Sequence, residues 1–248
     1  MLIGEPAPTA YDLRFRLGSV PVRVHPFFWL FTMLMASHGG EAFALVAWVF
    51  VCFVSILIHE FGHALAMIRY GERPRIVLYA MGGLAISDGG GWARSKLVGG
   101  GGPRGWLSQV IISAAGPGAG FLLAGVVVIA TLLAGGKILW NPPKLLVPIA
   151  VLENPRLMLV ATELLWVNLL WGIINLVPVM PLDGGQIARS LLIARDPWRG
   201  SQQSIQLSIL VAVAVATLAF VVWKQNYLGF LFGYLAVSNY LASQQRLW

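Results

Sequence analysis

Residues 42–68 read AFALVAWVFVCFVSILIHEFGHALAMI. The run is longer than the roughly 17–20 residues that cross a hydrocarbon core, so it is predicted to be a membrane-spanning helix. Its last third carries His59, Glu60 and His63. Side chains four residues apart share one helix face. His59 and His63 can therefore both reach one zinc ion, with Glu60 beside them as proton acceptor for water that the metal activates. The plainer reading is a helix that carries three polar residues to a wet end. It is the poorer one, because Leu57, Ile58, Phe61 and Leu65 surround these groups. Unpaired polar side chains are expensive in such a setting.

The rest of the chain agrees with a lipid environment. Of 248 residues, 58% are hydrophobic and only 11% charged. Ordinary soluble domains carry about 25% charged residues. This excludes a soluble enzyme, a nucleic-acid-binding module and a disordered tail. The net charge of +7 comes from basic residues scattered through loops that flank apolar runs, not from one patch. Cys52 is the single cysteine, which excludes an internal disulfide and a cysteine-based metal site. The first apolar run follows Arg14, Arg16 and Arg23, is rich in aromatics and has no convincing cleavage site, so it is not read as a signal peptide.

Apolar runs fall at 26–37, 42–68, 106–134, 157–179, 205–223 and 227–242. They predict an all-α polytopic membrane protein of about six transmembrane helices. The first run reaches spanning length only if Val20–Val24 contributes, and a re-entrant segment is the alternative. Arg75–Ala80 and Leu84–Ser87 around Gly82 and Gly83 read as a small β-hairpin in the loop after the second helix. The glycines at 89–91 and 99–102 read as a flexible linker. A single domain, 1–248, is expected, with a motif-bearing core at about 20–185 and two further helices at 205–242. With the N-terminus inside, thirteen basic residues face the cytoplasm; only Lys137, Lys144, Arg156 and Lys224 face outward.

A catalytic zinc normally has three protein ligands and one open position. His25 and His38 flank the first run and are unattractive, and Glu163 lies at the wrong depth. Asp183 fits. It follows Asn175–Pro181, where Pro178 and Pro181 must interrupt the fourth helix, and broken helix at membrane depth survives only when buried or lining a wet cavity. The plainer reading of PLDGG is a loop turn. In the six-helix topology His59, His63 and Asp183 meet on the cytoplasmic side. Counting from His63 to Arg69 at about 1.5 Å per residue puts the metal about 9 Å inside the boundary.

HEFGH at 59–63 and NLVPVMPLDGG at 175–185 together resemble the site-2 protease family of intramembrane zinc metalloproteases. SVPVRVHPFFW at 19–29, MGGLAI at 81–86 and SAAGPGAG at 113–120 agree with it. The resemblance implies one zinc per chain on His59, His63 and Asp183, with Glu60 as catalytic base. It also implies that Asn175 lies near the metal, where it can hold the scissile carbonyl. Many relatives have Asn where this chain has Gly120, so no polar role is assigned there. The PDZ and CBS domains of many relatives are not seen, which points to a minimal form.

The implied activity is regulated intramembrane proteolysis: hydrolysis of peptide bonds in or near transmembrane segments of membrane-protein substrates. The lipid bilayer is the other partner and no nucleic acid is expected. The implied site is a bacterial inner membrane, with the active site toward the cytoplasm. A transmembrane substrate must unwind locally, and the hairpin (Ile76, Val77, Leu78, Gly82, Gly83) is the candidate to hold it as an added strand. Three alternatives fit the sequence less well. A metal-ion transporter explains the His/Asp cluster but gives Glu60 no task. A protease of lipidated C-termini usually takes glutamate as third ligand. An inactive chaperone-like binder has no need of the whole catalytic set.

Overall fold

A computed structural model describes residues 5–36, 41–80, 82–87, 105–140 and 147–244. Their elements are β1 (Leu13–Leu17), β2 (Val20–Val24), α1 (Pro26–Leu34), α2 (Ala42–Arg69), β3 (Pro74–Tyr79), β4 (Gly82–Ser87) and α3 (Trp106–Leu133). There follow β5 (Lys137–Leu139), β6 (Ile149–Val151), α4 (Pro155–Asn175), α5 (Asp183–Arg195), α6 (Gly200–Val221) and α7 (Asn226–Gln244). The chain divides into two compact units, Met1–Val98 with Ala115–Gly172 and Gly99–Ala114 with Ile173–Trp248. His38, Met81, Trp92 and the glycine-rich stretch at 89–102 lie outside the described residues.

Four helices among the described residues, not six, are long and apolar enough to cross a membrane: α2, α3, α4 and α6. The first apolar run yields only the nine residues of α1, about 14 Å of helix. Val20–Val24 does not extend it, because it is strand β2. Val20, Val22 and Val24 are buried while Pro21 and Arg23 turn away, which is the period-two pattern of a half-buried strand. The last run does form a helix, α7, but Asn226, Asn239 and three tyrosines dilute it.

The expected hairpin after α2 is half of a larger sheet. Its order is β1-β2-β3-β4. β1–β2 and β3–β4 are antiparallel, whereas β2 and β3 run parallel through Val22↔Ile76 and Val24↔Leu78. The sequence showed only the hairpin at 75–87 and carries no local signal that residues 13–24 form a second one, 50 residues before it, that joins it. The parallel pairing has a topological consequence: the chain that leaves β2 through α1 must return through α2 to the same side. One sheet face, Val20, Val22, Val24, Ile76 and Leu78, packs with Phe28 and Ala64 in a single apolar cluster. This fastens the sheet to the turn of α2 that follows His63. A two-stranded sheet, β5–β6, was not expected from the sequence.

In the second unit α4 stops at Asn175, and a turn containing Pro178 and a cis Met180–Pro181 peptide leads into α5. The prolines thus interrupt the helix as the sequence requires. Asp183 opens a helix, however, and is not a loop residue. Val179 packs in a cluster with Ala212 and Ala216 of α6 and Phe232, Leu235 and Ala236 of α7.

The outward face of the four-stranded sheet sets Arg14 directly opposite Arg23, a like-charge pair that opposes pairing. Asp12 offsets it, 3.1 Å from Arg23 and 3.7 Å from Arg14. Glu5 ties Arg23 to Arg75 at 2.8 and 2.7 Å. Burial alone raises the Asp12 carboxyl. Hydrogen bonds donated by the Thr9 hydroxyl, the Thr9 amide and Arg23 outweigh it and hold the group at about 2. A folded-state value below the unfolded one means stability that is present above about pH 4 and lost as pH falls through the folded value. The Asp12 carboxyl carbon, followed by NMR against an Asp12→Asn protein, is expected to titrate near pH 2. A midpoint near 4 would contradict the arrangement.

Candidate metal centre

His59, Glu60 and His63 are 5%, 7% and 3% exposed, all within the apolar helix α2. The two imidazoles present Nε2 to Nε2 at 3.2 Å, with ring planes at 77°. Two nitrogens bound tetrahedrally to zinc at 2.0–2.1 Å stand about 3.3 Å apart. The pair therefore fits a shared zinc ion.

Three glycines make this geometry possible. A Cβ at Gly62 would fall on the Ala115 carbonyl and within 2.7 Å of the Ala119 methyl, so α3 approaches α2 backbone to backbone at the metal turn. A Cβ at Gly116 would fall on the His63 ring, beside Nε2. A Cβ at Gly83, in β4, would fall on the Glu60 side chain, 2.6 Å from the carboxyl carbon and 2.7 Å from Oε1. The motif at 113–120 thus touches the histidine itself. SAAGPGAG was legible in the sequence as a motif, but not the placement of its Gly116 against the ring of His63. A shared apolar-helix context for SAAGPGAG and HEFGH was the available signal, but spacing alone does not pair them.

Other polar residues have structural occupations. Asn168 donates to Ser55 Oγ at 2.9 Å and to the Leu164 carbonyl at 2.8 Å, an interhelical bond between α4 and α2. Gly120 lies against Asn168 and leaves room for its amide. His25 caps α1, its Nδ1 accepting from the Phe27 amide at 3.2 Å. Glu163 is buried in α4.

Asn175 and Asp183 belong to the second unit and are each 8% exposed. Asp183 is the first residue of α5, where a carboxylate also suits the positive end of the helix dipole. Gly184 and Gly185 follow because nothing larger fits. A Cβ on Gly184 would fall on the Leu176 carbonyl, and one on Gly185 would lie 2.6 Å from the Met180 amide nitrogen.

The expected strand-binding residues divide. Ile76, Val77 and Leu78 are fully buried in β3, which is paired on both sides. They line no open edge. Among the described residues, the outer strand of the sheet beside Glu60 is β4, which begins with Gly82 and Gly83. Gly82 lies at the β3–β4 turn, with positive φ, near the Trp171 ring.

Comparison with known proteins bears on this geometry. A zinc metalloprotease of Methanocaldococcus jannaschii is 28% identical over 187 residues, 73% of this chain and 46% of that protein. The Rip3 protein of Mycobacterium tuberculosis is 30% identical over 244 residues, 92% of this chain and 54% of that protein. The chain thus spans about half the length of the curated relatives it matches. The solved site-2 protease from Methanocaldococcus jannaschii shares the fold, with a TM-score of 0.54 over 94% of this chain and 95% of that one, at 23% identity. The model of peptidase family M50 matches residues 47–218, which include both motifs. With four apolar helices of spanning length among the described residues, the chain is an integral membrane member of peptidase family M50, the site-2 protease family.

Proposed function

We propose that the chain is a zinc metalloprotease that hydrolyses peptide bonds in or near transmembrane segments of membrane-protein substrates, as in regulated intramembrane proteolysis. The observation that carries this reading is the buried imidazole pair at 3.2 Å with Glu60 on the adjoining position of an apolar helix. A zinc metalloprotease among the relatives supports the choice of metal. His59, His63 and Asp183 would hold one zinc per chain. Asp183 adds the anionic donor that two neutral imidazoles lack, and a carboxylate offsets part of a divalent charge where the dielectric is low.

Zinc bound there supplies Lewis acidity, polarising a peptide carbonyl and acidifying water. Glu60 accepts the water proton and returns it to the leaving amine. Its carboxylate is held at the β4 edge by contact with Gly83, so the base is fixed relative to the sheet. The Asn175 amide donates to the carbonyl oxygen as negative charge develops on it. A locally unwound substrate segment adds as a strand alongside β4, Gly82–Ser87, the outer strand of the sheet among the described residues. The basic residues of the inner loops support a site that opens toward the cytoplasm of a bacterial inner membrane.

Glu60→Gln preserves shape but cannot take the proton. Zinc content of the purified protein is expected to stay at one per chain, while cleavage of a transmembrane substrate falls by about 10²–10⁴-fold. Full cleavage by this variant would remove Glu60 from the mechanism. Gly83→Ala pushes on the same carboxylate without touching a ligand, and a displacement of about 1 Å is expected to lower cleavage by about 10²-fold with zinc retained. Unchanged turnover would show that the Gly83 contact does not set the position of the base. Asp183→Ala is expected to lose zinc on dialysis and to lose cleavage, while Glu163→Ala keeps its zinc. The reverse pattern would sink the proposed ligand set.

A further inference from the structure

The two helices that follow the second motif, α6 and α7, hold no residue assigned to the chemistry. Within the second unit they nevertheless hold the turn that presents Asp183. The Met180 amide donates to Ser208 Oγ of α6 at 3.1 Å, and the Met180 carbonyl accepts from Asn239 Nδ2 of α7 at 2.7 Å. Both backbone polar groups of one turn residue are thus taken by side chains from two different helices. Ser208 and Asn239 are 1% and 6% exposed.

Each clamping side chain is itself oriented. Ser208 donates to the Ser204 carbonyl at 2.8 Å, which aims its lone pairs at the Met180 amide. Asn239 gives its second amide hydrogen to the Leu235 carbonyl at 2.8 Å. The turn is closed by the Leu182 amide donating to the Val179 carbonyl at 2.9 Å, and Asp183 is the next residue. Val179, fully buried among α6 and α7 side chains, anchors the other end of the turn. Ser, Asn and two backbone groups in a buried apolar cluster are costly unless all are satisfied, and here they satisfy one another.

We infer that Ser208 and Asn239 are positioning residues for the metal centre: through the Met180 backbone they fix where the Asp183 carboxylate stands. This rests on Asp183 being the third zinc ligand. Groups behind a ligand typically set about 10–100-fold in metal affinity. The first unit supplies its two imidazoles from the interior of a long helix, whose geometry is rigid on its own. Asp183 comes from a turn-to-helix junction, where the backbone needs such outside support.

The test is zinc affinity, measured by competition with a chromophoric chelator on detergent-purified full chain, together with thermal unfolding of the metal-free protein. Ser208→Ala, Asn239→Ala, Phe232→Leu, Asp183→Ala and Thr217→Ala are compared; Thr217 is an exposed hydroxyl on α6 that bonds only within its own helix turn. Ser208→Ala removes one oxygen and is the variant least able to disturb folding. Because each leaves a Met180 backbone group unpaired, it and Asn239→Ala are expected to lower metal-free unfolding relative to Thr217→Ala, and to weaken zinc binding about 10-fold beyond Phe232→Leu, a packing variant of the same cluster, with Asp183→Ala losing zinc altogether. Wild-type affinity in both clamp variants, beside zinc loss in Asp183→Ala, overturns the clamp and leaves the ligand assignment standing. Zinc binding weakened no more than in Phe232→Leu overturns it in favour of a purely structural role. Zinc retained by Asp183→Ala instead strikes the proposed function itself.

Discussion

The contact on which the first unit depends is that of the His63 ring with the backbone of α3 at Gly116. A polar imidazole in an apolar helix needs a neighbour that neither clashes with it nor leaves a void. A glycine in a facing helix supplies that, since any side chain there would occupy the space of the ring. Gly62, one residue before His63, lets the same helix close onto α2 at Ala115 and Ala119. In lipid, where helix association rests on close packing more than on the exclusion of water, small residues at such crossings set how near two helices come. The histidine pair is held at metal-binding separation by this crossing on one side and by the apolar cluster beneath the sheet on the other.

Much of this was legible in the sequence where the signal is local. HEFGH on an apolar run gives a helix and a ligand face at once, because both follow from i, i+4 periodicity. Pro178 and Pro181 announce the end of α4 through the missing amide of proline. What stayed hidden depends on contacts distant in sequence. Val20–Val24 has an apolar composition that suits either a strand or the start of a span, and only its pairing with Ile76–Leu78 decides between them. The nine residues of α1 carry the aromatics of a membrane segment without its length. PLDGG admits a loop-turn reading because two glycines follow Asp183, and the helix DGGQIARSLLIAR falls between the apolar runs. Those glycines instead let the new helix start against the preceding turn.

The two units solve the problem of a polar site in an apolar chain differently. The first places its functional groups inside a helix, where the backbone is already satisfied and only the side chains need accommodation. The second places Asp183 just after a break, where backbone amides and carbonyls must find partners. Ser208 and Asn239 provide these for Met180. The helices that follow the motif thus belong to the structural logic of the turn, although family resemblance drew attention to nothing beyond Gly185.

The central claim is that two α2 imidazoles and one carboxylate form a single zinc site. Zinc X-ray absorption on the purified full chain tests it most directly. The account predicts one zinc with two imidazole nitrogens and the remaining scatterers oxygen, all at about 2.0–2.2 Å, and no sulfur shell. A zinc–sulfur distance near 2.3 Å, or a spectrum unchanged when both His59 and His63 are replaced by alanine, would contradict it.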